Sequence, residues 1–490
     1  MRLFTIGDSF AQGFMSGGAA RTDLCFSTLL ARALGQRPGH DYLYPDWPLG
    51  GHPVNLEPVL RHLQRNFGIE VEGAFDWLRA RVLVAEYLDR IEDHYEDGPG
   101  AAHQAYQGGI EAFHNIALRG FDIADAWQVT PDMCRHAIAR PQNFDSIFGD
   151  LSPVPDHSFF RTALTVLNPS RSRAFDQHSA LGWLDHHARS EGVENLLLWL
   201  GTNNVLGVIL ELSLTSTGSS RNRPLAMDYA ERRQFSFWTI DDFAAEYQAL
   251  IDRVDRAMSE NTNPDWRVFI ANIPPITVSP LLHGRGVARE QADPFDVLPR
   301  ATYFDHYDYV FVREPDSDPR SSLDRLTVQS LDEAIAGYNQ AIQSILAAAN
   351  ARHGANRRYW LVDIADMHLR LAYRRNNGQP SYALPAIFNH RPHKPDTRYY
   401  RAHGNQLRAG GLVSLDGVHP SALGQGLIAH KFWETMQTSG VADLGELDWP
   451  LIVASDRLWQ RPLPMVDALF QYRELAEVVL RMCRMFRHGD

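Results

Sequence analysis

A serine nucleophile and the base that it would need stand near opposite ends of this chain. Ser9 follows a short apolar run and lies in a Gly-Asp-Ser turn. His419 lies three residues after Asp416, and a glycine between them allows the chain to fold back. The aspartate could then accept a hydrogen bond from Nδ1 of the imidazole and leave Nε2 free as the base for a serine hydroxyl. Taken singly, each segment is more simply interpreted as an ordinary turn.

Two segments in the middle of the chain could supply the oxyanion donors that acyl transfer also requires. One apolar run ends at Gly120, where the missing Cβ lets a backbone N–H approach a substrate oxygen. A second, near-continuous apolar run leads to Gly201 and Asn203, and the side-chain amide of Asn203 could donate to the same oxygen. Each segment alone is also typical of a buried strand followed by a turn. The four segments together, in this order, favour a serine hydrolase site.

On these segments the chain resembles the GDSL, or SGNH, hydrolases. The four blocks that match the family pattern are Gly7 to Ser9, Asn115 to Gly120, Gly201 to Asn204, and Asp416 to His419. One position departs from that pattern, because Asn204 stands where the family commonly has an aspartate of structural importance.

The resemblance implies a role for each matched residue. Ser9 would be the nucleophile, His419 the base, and Asp416 the residue that orients the base. The oxyanion hole would consist of the backbone N–H groups of Ser9 and Gly120 and the side chain of Asn203. No cofactor and no metal ion is implied.

The pattern of apolar runs predicts an α/β fold. Strands are expected over residues 2–6, 113–118, 195–200, 267–272 and 359–364, and the clearest helices over 241–259 and 330–353. Strands that alternate with helices favour a parallel sheet covered on both faces, a three-layer α/β/α sandwich. The family resemblance further implies the flavodoxin-like, doubly wound strand arrangement of the SGNH hydrolase fold.

The chain is longer than one compact α/β domain. We expect a catalytic domain over residues 1–440, interrupted by insertions at about 36–109, 214–237, 280–320 and 374–411. These insertions follow strands or precede catalytic loops, so they could line a substrate cleft or equally decorate the surface. A C-terminal helical extension is expected over residues 441–490.

That extension includes an apolar helical stripe between Met465 and Phe486. Packing on the core or on a second subunit explains the stripe better than a membrane surface does. Oligomerisation and peripheral membrane contact both stay open.

Composition restricts the partners. The formal net charge is -12, from 47 basic and 59 acidic residues, which argues against a nucleic-acid partner. The three cysteines lack metal-ligand spacing, and the pairs His186 with His187 and His390 with His393 have no partners at a recognisable spacing.

No apolar span approaches the ~18 residues that cross a bilayer, and no room for a secretory signal precedes the first strand. The sequence as written predicts a cytoplasmic protein, or an exported one if a signal peptide has been removed.

The sequence therefore predicts a serine ester hydrolase, a lipase or esterase that could include phospholipase activity, acting on a small-molecule or lipid ester. A carbohydrate O-deacetylase on the same fold is the nearest alternative. A different alternative is an assembly or binding subunit that retains a regulated hydrolase site. A panel of esters of increasing chain length, together with the mass of the purified protein, would discriminate between these functions.

Overall fold

A computed structural model describes residues 1–18, 21–69, 71, 73–140, 157–312, 321–389 and 394–471. Its strands, in chain order, are β1 (Leu3–Gly7), β2 (Asn115–Ala117), β3 (Asn195–Trp199), β4 (Arg267–Ala271), β5 (Leu282–Arg285), β6 (Arg289–Gln291), β7 (Ala301–Tyr303), β8 (His306–Tyr309), β9 (Leu323–Asp324), β10 (Tyr359–Val362), β11 (Arg401–His403) and β12 (Gln406–Ala409).

The α-helices, in chain order, are α1 (Ser9–Gln12), α2 (Phe26–Ala33), α3 (Leu56–Phe67), α4 (Gly73–Glu96), α5 (Asp125–Gln128), α6 (Pro131–Ile138), α7 (Ser158–Leu167), α8 (Ala180–Arg189), α9 (Asn203–Glu211), α10 (Tyr229–Arg232), α11 (Ile240–Ser259), α12 (Arg325–Arg352), α13 (Ile364–Leu371), α14 (Ala422–Thr438), α15 (Trp449–Ser455), α16 (Arg457–Gln460) and α17 (Asp467–Gln471).

The centre of the protein is a parallel sheet of five strands in the order β2-β1-β3-β4-β10. These are the five strands that the apolar runs predict. β1, β2 and β3 are buried along their whole length, which explains why their sequences read as continuous apolar segments rather than as alternating ones.

Helices cover both faces of this sheet. Along β1, Phe4 and Ile6 belong to one buried apolar cluster and Leu3 to another, because successive side chains of a strand point to opposite faces. The first cluster includes side chains of α8, α11 and α12, and the second includes side chains of α2, α13 and α14. The mixed α/β class predicted from the sequence is therefore confirmed.

The predicted insertions carry secondary structure of their own where the structure describes them. The first contains α3 and α4, and the second contains α10 between short turns. The third contributes β5 and β8 to a small antiparallel sheet, and the fourth folds β11 against β12. These short strands were not predicted, because segments such as Arg289–Gln291 are polar and too brief to show an alternating pattern.

The chain after residue 440 packs back on the rest of the protein. The carboxylate of Asp456 accepts a hydrogen bond of 2.9 Å from the backbone of Leu423 at the start of α14. Met465 is buried and donates its backbone N–H to Gln64 on α3. The apolar stripe predicted between Met465 and Phe486 is described as far as residue 471, where Ala468 and Leu469 are buried. The rest of the stripe lies outside the described residues. Among the helices that the structure describes, none is both long and apolar enough to span a membrane.

Candidate active site

Ser9 lies where strand β1 of the central sheet passes directly into α1. Gly7 makes this close passage possible, because a Cβ at that position would lie 2.5 Å from the Cβ of Ala11. Asp8 caps the short helix by accepting the backbone N–H of Phe10 at 3.0 Å. Ser9 is only 3% exposed, and its N–H is one of the first of a helix, which have no partner within the helix.

His419 and Asp416 share one tight loop just before α14. The φ angle of Gly417 is +74° in this loop, and a Cβ there would press on the backbone of Leu281 at 3.0 Å. Oδ1 of Asp416 accepts the backbone N–H groups of Val418 at 2.9 Å and of His419 at 2.8 Å. The loop is thus closed by its own carboxylate, as the spacing in the sequence suggests.

The three predicted catalytic side chains form one chain of hydrogen bonds. Nε2 of His419 lies 2.9 Å from Oγ of Ser9, and Nδ1 of His419 lies 2.9 Å from Oδ2 of Asp416. Burial alone would raise the pKa of Asp416, but the neighbouring His419 and the hydrogen bonds from His419 and Val418 outweigh burial and lower the pKa. The aspartate is therefore held in its ionised form beside the imidazole.

A second loop, not identified from the sequence, supports this chain. The backbone N–H of Gly17 donates to Oδ2 of Asp416 at 3.1 Å. Ser16 and Ser414 lock the two loops together, since Ser16 N–H donates to Oγ of Ser414 and Oγ of Ser16 accepts from Leu415. Contacts between serine side chains and backbone N–H groups leave no distinctive sequence signal.

The register of the sheet brings the two middle segments to the same edge as Ser9. Gly7 of β1 is paired with Ala117 of β2 on one side and with Trp199 of β3 on the other. Because the three strands are parallel and in register, the residues that follow them leave the sheet side by side. Gly120 and Asn203 both lie in these following segments.

Gly120 and Asn203 come together next to this edge. The segment before Gly120 is fixed to α1, because Oε1 of Gln12 accepts the backbone N–H of Arg119 at 2.9 Å. Nδ2 of Asn203 donates to the backbone carbonyl of Phe121 at 2.7 Å, which uses one of its two N–H groups. Both Gly120 and Asn203 line the same small cavity.

Asn204, the position that departs from the family pattern, ties two elements together. Its Oδ1 accepts the backbone N–H of Ile123 at 3.2 Å, and its Nδ2 donates to Glu246 on α11 at 3.3 Å. A neutral amide suits this place, since it can donate to a carboxylate and still accept from the backbone, whereas an ionised aspartate can only accept.

Two arginines of the second insertion lie behind the Gly120 segment, and no motif in the sequence singles them out. Arg232 is wholly buried between the carboxylates of Glu246 and Asp122, with 2.8 Å to Oδ1 of Asp122. Arg233 lies 2.5 Å from Asp125 and donates to the backbone carbonyl of Gly120 at 3.3 Å. Adjacent arginines in a predicted loop usually indicate solvated charges, but here both guanidinium groups are anchored to acids of the core.

Burial also shifts the pKa values of the acids that pair with these two arginines. It raises the pKa of Glu246 to about 7, against the opposing effect of Arg232. It raises the pKa of Asp125 to about 6, although Arg233 acts to lower it. Paired charges in such a place are costly to separate, because removing one partner leaves the other buried without compensation.

Within the part of the chain that the structure describes, no group of three or more His, Cys, Asp or Glu side chains is arranged to hold a metal ion. His186 and His187 lie in ring contact on α8, whereas His390 and His393 lie outside the described residues. Cys25 and Cys134 are buried free thiols. A comparison of the chain with models of protein families found no match, and neither did a comparison with curated proteins.

Proposed function

We propose that this protein is a serine ester hydrolase of the GDSL, or SGNH, type. The observation that carries the proposal is the hydrogen-bond chain from Oγ of Ser9 through the His419 ring to Asp416, with 2.9 Å in each step. A serine hydroxyl is a weak nucleophile at neutral pH, and this arrangement is the one that activates it.

The proposed reaction begins when Nε2 of His419 takes the proton of the Ser9 hydroxyl. Oγ then bonds to the carbonyl carbon of the ester, and the carbonyl oxygen becomes an oxyanion. When the tetrahedral intermediate collapses, the bond to the alcohol oxygen breaks and that oxygen takes the proton from Nε2. A water molecule repeats the sequence on the acyl-enzyme, which releases the acid and restores Ser9.

The oxyanion donors in this proposal are the backbone N–H groups of Ser9 and Gly120 and the second N–H of the Asn203 amide. Their fixed positions support the assignment. Gly120 is held from behind by Arg233, and Asn203 is held by its bond to Phe121. Preorganised donors of this kind stabilise charge that develops only in the transition state.

The sheet also supports the family assignment. The strand order, with the first strand between the second and third, is the flavodoxin-like order of doubly wound folds. In such folds ligands bind outside the carboxyl ends of the strands, where the order reverses. Ser9 follows β1, and the order reverses at β1.

A fluorophosphonate probe and the variant Ser9→Ala test the proposal. The wild-type protein should hydrolyse 4-nitrophenyl esters and should carry the probe on Ser9, and Ser9→Ala should lose both properties while its unfolding curve stays the same. Ser190 is a suitable control because it is exposed, so accessibility alone would favour labelling there. Ser190→Ala should keep full activity and labelling.

Labelling on a serine other than Ser9 would contradict the assigned nucleophile. A folded protein that is neither labelled nor active on any ester would instead favour the assembly or binding function.

A further inference from the structure

A cavity lined by two adjacent arginines, here called the arginine cavity, lies outside the proposed catalytic site. Its volume is about 30 Å³, which is room for about two water molecules. Arg374 and Arg375 line it together with the hydroxyl-bearing side chains of Ser279, Thr302 and Thr397. Among the described residues that line this cavity, none is acidic. The arginine cavity therefore offers hydrogen-bond donors and positive charge to whatever occupies it.

The arginine cavity adjoins the loop of the proposed base without being part of the reaction site. Ser279, in its wall, donates to the backbone carbonyl of Gly417 at 2.5 Å. The guanidinium of Arg374 donates to the backbone carbonyl of Leu282, also in the wall, at 2.5 Å. The proposed nucleophile and base do not line the cavity. A molecule bound there is therefore not in position to react with the serine.

The charge of Arg374 lacks a counter-charge within the part of the chain that the structure describes. Its guanidinium donates to the Leu282 carbonyl, and it pairs there with no carboxylate. Burial lowers the pKa of Arg374, and the positive charge of Arg398 acts in the same direction. A buried cation without an opposite charge destabilises the fold, so an anion in the cavity would stabilise it.

Arg375 brings an unused donor to the same cavity. Its side chain is only 3% exposed, and its Nη2 lies 3.1 Å from the carboxylate of Asp332 and donates to Thr277 at 2.9 Å. Its guanidinium also lies over the Tyr303 ring, 4.0 Å from the ring centre. Nη1, by contrast, is buried and has no hydrogen-bond partner among the described residues. Such a group gains most from an acceptor supplied by a ligand.

We propose that the arginine cavity binds the carboxylate group of a small acid. A guanidinium can donate two parallel N–H bonds to the two oxygens of a carboxylate. Two oxygens take about the space of two water molecules, whereas the four oxygens of a phosphate need more room than the cavity provides. The ligand supplies the counter-charge for Arg374 and an acceptor for the donors of Arg375. This site is separate from ester hydrolysis and does not depend on that proposal.

Isothermal titration with sodium acetate at pH 7, at an ionic strength held constant with sodium chloride, tests the site. The wild-type protein should bind acetate with a Kd on the order of 1 mM. Inorganic phosphate should bind about tenfold more weakly, since it exceeds the cavity. Arg374→Gln should weaken acetate binding by about tenfold or more. Arg370→Gln is the matched control and should bind like wild type, because Arg370 pairs with Asp366 and does not line the cavity.

Each contrary result overturns a stated part of the proposal. Equal acetate binding by wild type and Arg374→Gln would place the acetate elsewhere, and the absence of binding to wild type would remove the site altogether. An equal loss in Arg370→Gln would show an effect of net charge only. Phosphate binding as tight as acetate binding would overturn the carboxylate preference.

A second variant covers the case in which Arg374→Gln does not fold. Arg374→Lys keeps the charge but loses the forked donor, so it should weaken acetate binding severalfold. Unchanged acetate binding by a folded Arg374→Lys would contradict a paired contact with the carboxylate. None of these results bears on the proposed hydrolase, because labelling of Ser9 by fluorophosphonate does not measure acetate binding.

Discussion

The backbone N–H of Gly17 donates to Oδ2 of Asp416 at 3.1 Å, although the two residues are 399 positions apart in the chain. The same oxygen lies 2.9 Å from Nδ1 of His419. The loop that follows the proposed nucleophile therefore helps to hold the acid that orients the proposed base. A shift of either loop would disturb both ends of the hydrogen-bond chain.

The first prediction concerns the unequal cost of losing the base and the acid. His419→Ala should lower kcat about as much as Ser9→Ala, because nucleophile and base act as a unit. Asp416→Ala should cost roughly one to two powers of ten less, since it removes only orientation and charge stabilisation. Steady-state kinetics with 4-nitrophenyl acetate measures both. Equal activity of His419→Ala and wild type would contradict a histidine base.

The second prediction concerns Asn203. Asn203→Ala should lower kcat by about two to three powers of ten with little change in KM, the cost typical of losing one oxyanion donor. Asn203→Asp keeps the shape but removes the donors, so it should be at least as damaging. A loss of activity confined to KM would show that Asn203 contacts only the ground state.

The third prediction concerns Arg233 as a positioning residue. Arg233→Lys keeps a charge beside Asp125 but loses the forked donor that also reaches the carbonyl of Gly120. We expect kcat to fall by about tenfold while KM stays unchanged, because a small displacement of the Gly120 N–H weakens transition-state binding. Arg223→Lys is the control in the same insertion, since the Arg223 side chain pairs with Asp242 but is itself largely exposed and makes no contact with Gly120 among its hydrogen bonds. A parallel loss of kcat in both variants would exclude a specific role.

The fourth prediction concerns Asp8 and the pH dependence of stability. Burial raises the pKa of Asp8 to about 7, against the opposing hydrogen bond from the backbone of Phe10. The folded protein therefore keeps this proton at pH values where the unfolded chain has lost it. Between about pH 4 and 7 the folded state binds more protons, so Asp8 makes the free energy of unfolding fall as pH rises.

Asp8→Asn removes this effect and retains a cap for Phe10. The difference in free energy of unfolding between the variant and wild type should increase in favour of the variant by roughly 1 to 3 kcal/mol from pH 5 to pH 8. Urea denaturation at the two pH values measures the difference. A constant difference in unfolding free energy between variant and wild type would contradict the buried, protonated carboxyl.

The central sheet was predictable because β1, β2 and β3 are buried along their whole length. Near-continuous apolar runs such as Asn195–Trp199 are typical of strands in parallel sheets. Because these runs alternate with helical patterns along the chain, the sequence also indicates a sheet covered by helices on both faces. The small antiparallel strands were not predictable. Leu282–Arg285 pairs with His306–Tyr309 across a long polar segment, and neither strand has an apolar pattern of its own.

The candidate site likewise contains contacts that the sequence predicts and contacts that it does not. The spacing of Asp416 and His419 is local, so the sequence alone suggests their hydrogen bond. The contact between Arg233 and Gly120 depends on how an insertion packs on the core, over a separation of 113 residues. Such contacts can be identified only from the tertiary structure, because no periodicity or short motif in the sequence predicts them.

The pairing of Arg232 has a consequence for sequence change in this protein. Any substitution that neutralises Arg232 takes from the buried Glu246 its cationic partner and leaves Asp122 with Arg233 at 3.6 Å, a loss for which about 3 to 5 kcal/mol is typical. The second insertion is therefore not an independent unit. It cannot be removed, or replaced by the corresponding segment of another protein, without other changes. Residues 122 and 246 must change with it, so that three stretches far apart in the chain are inherited or redesigned together.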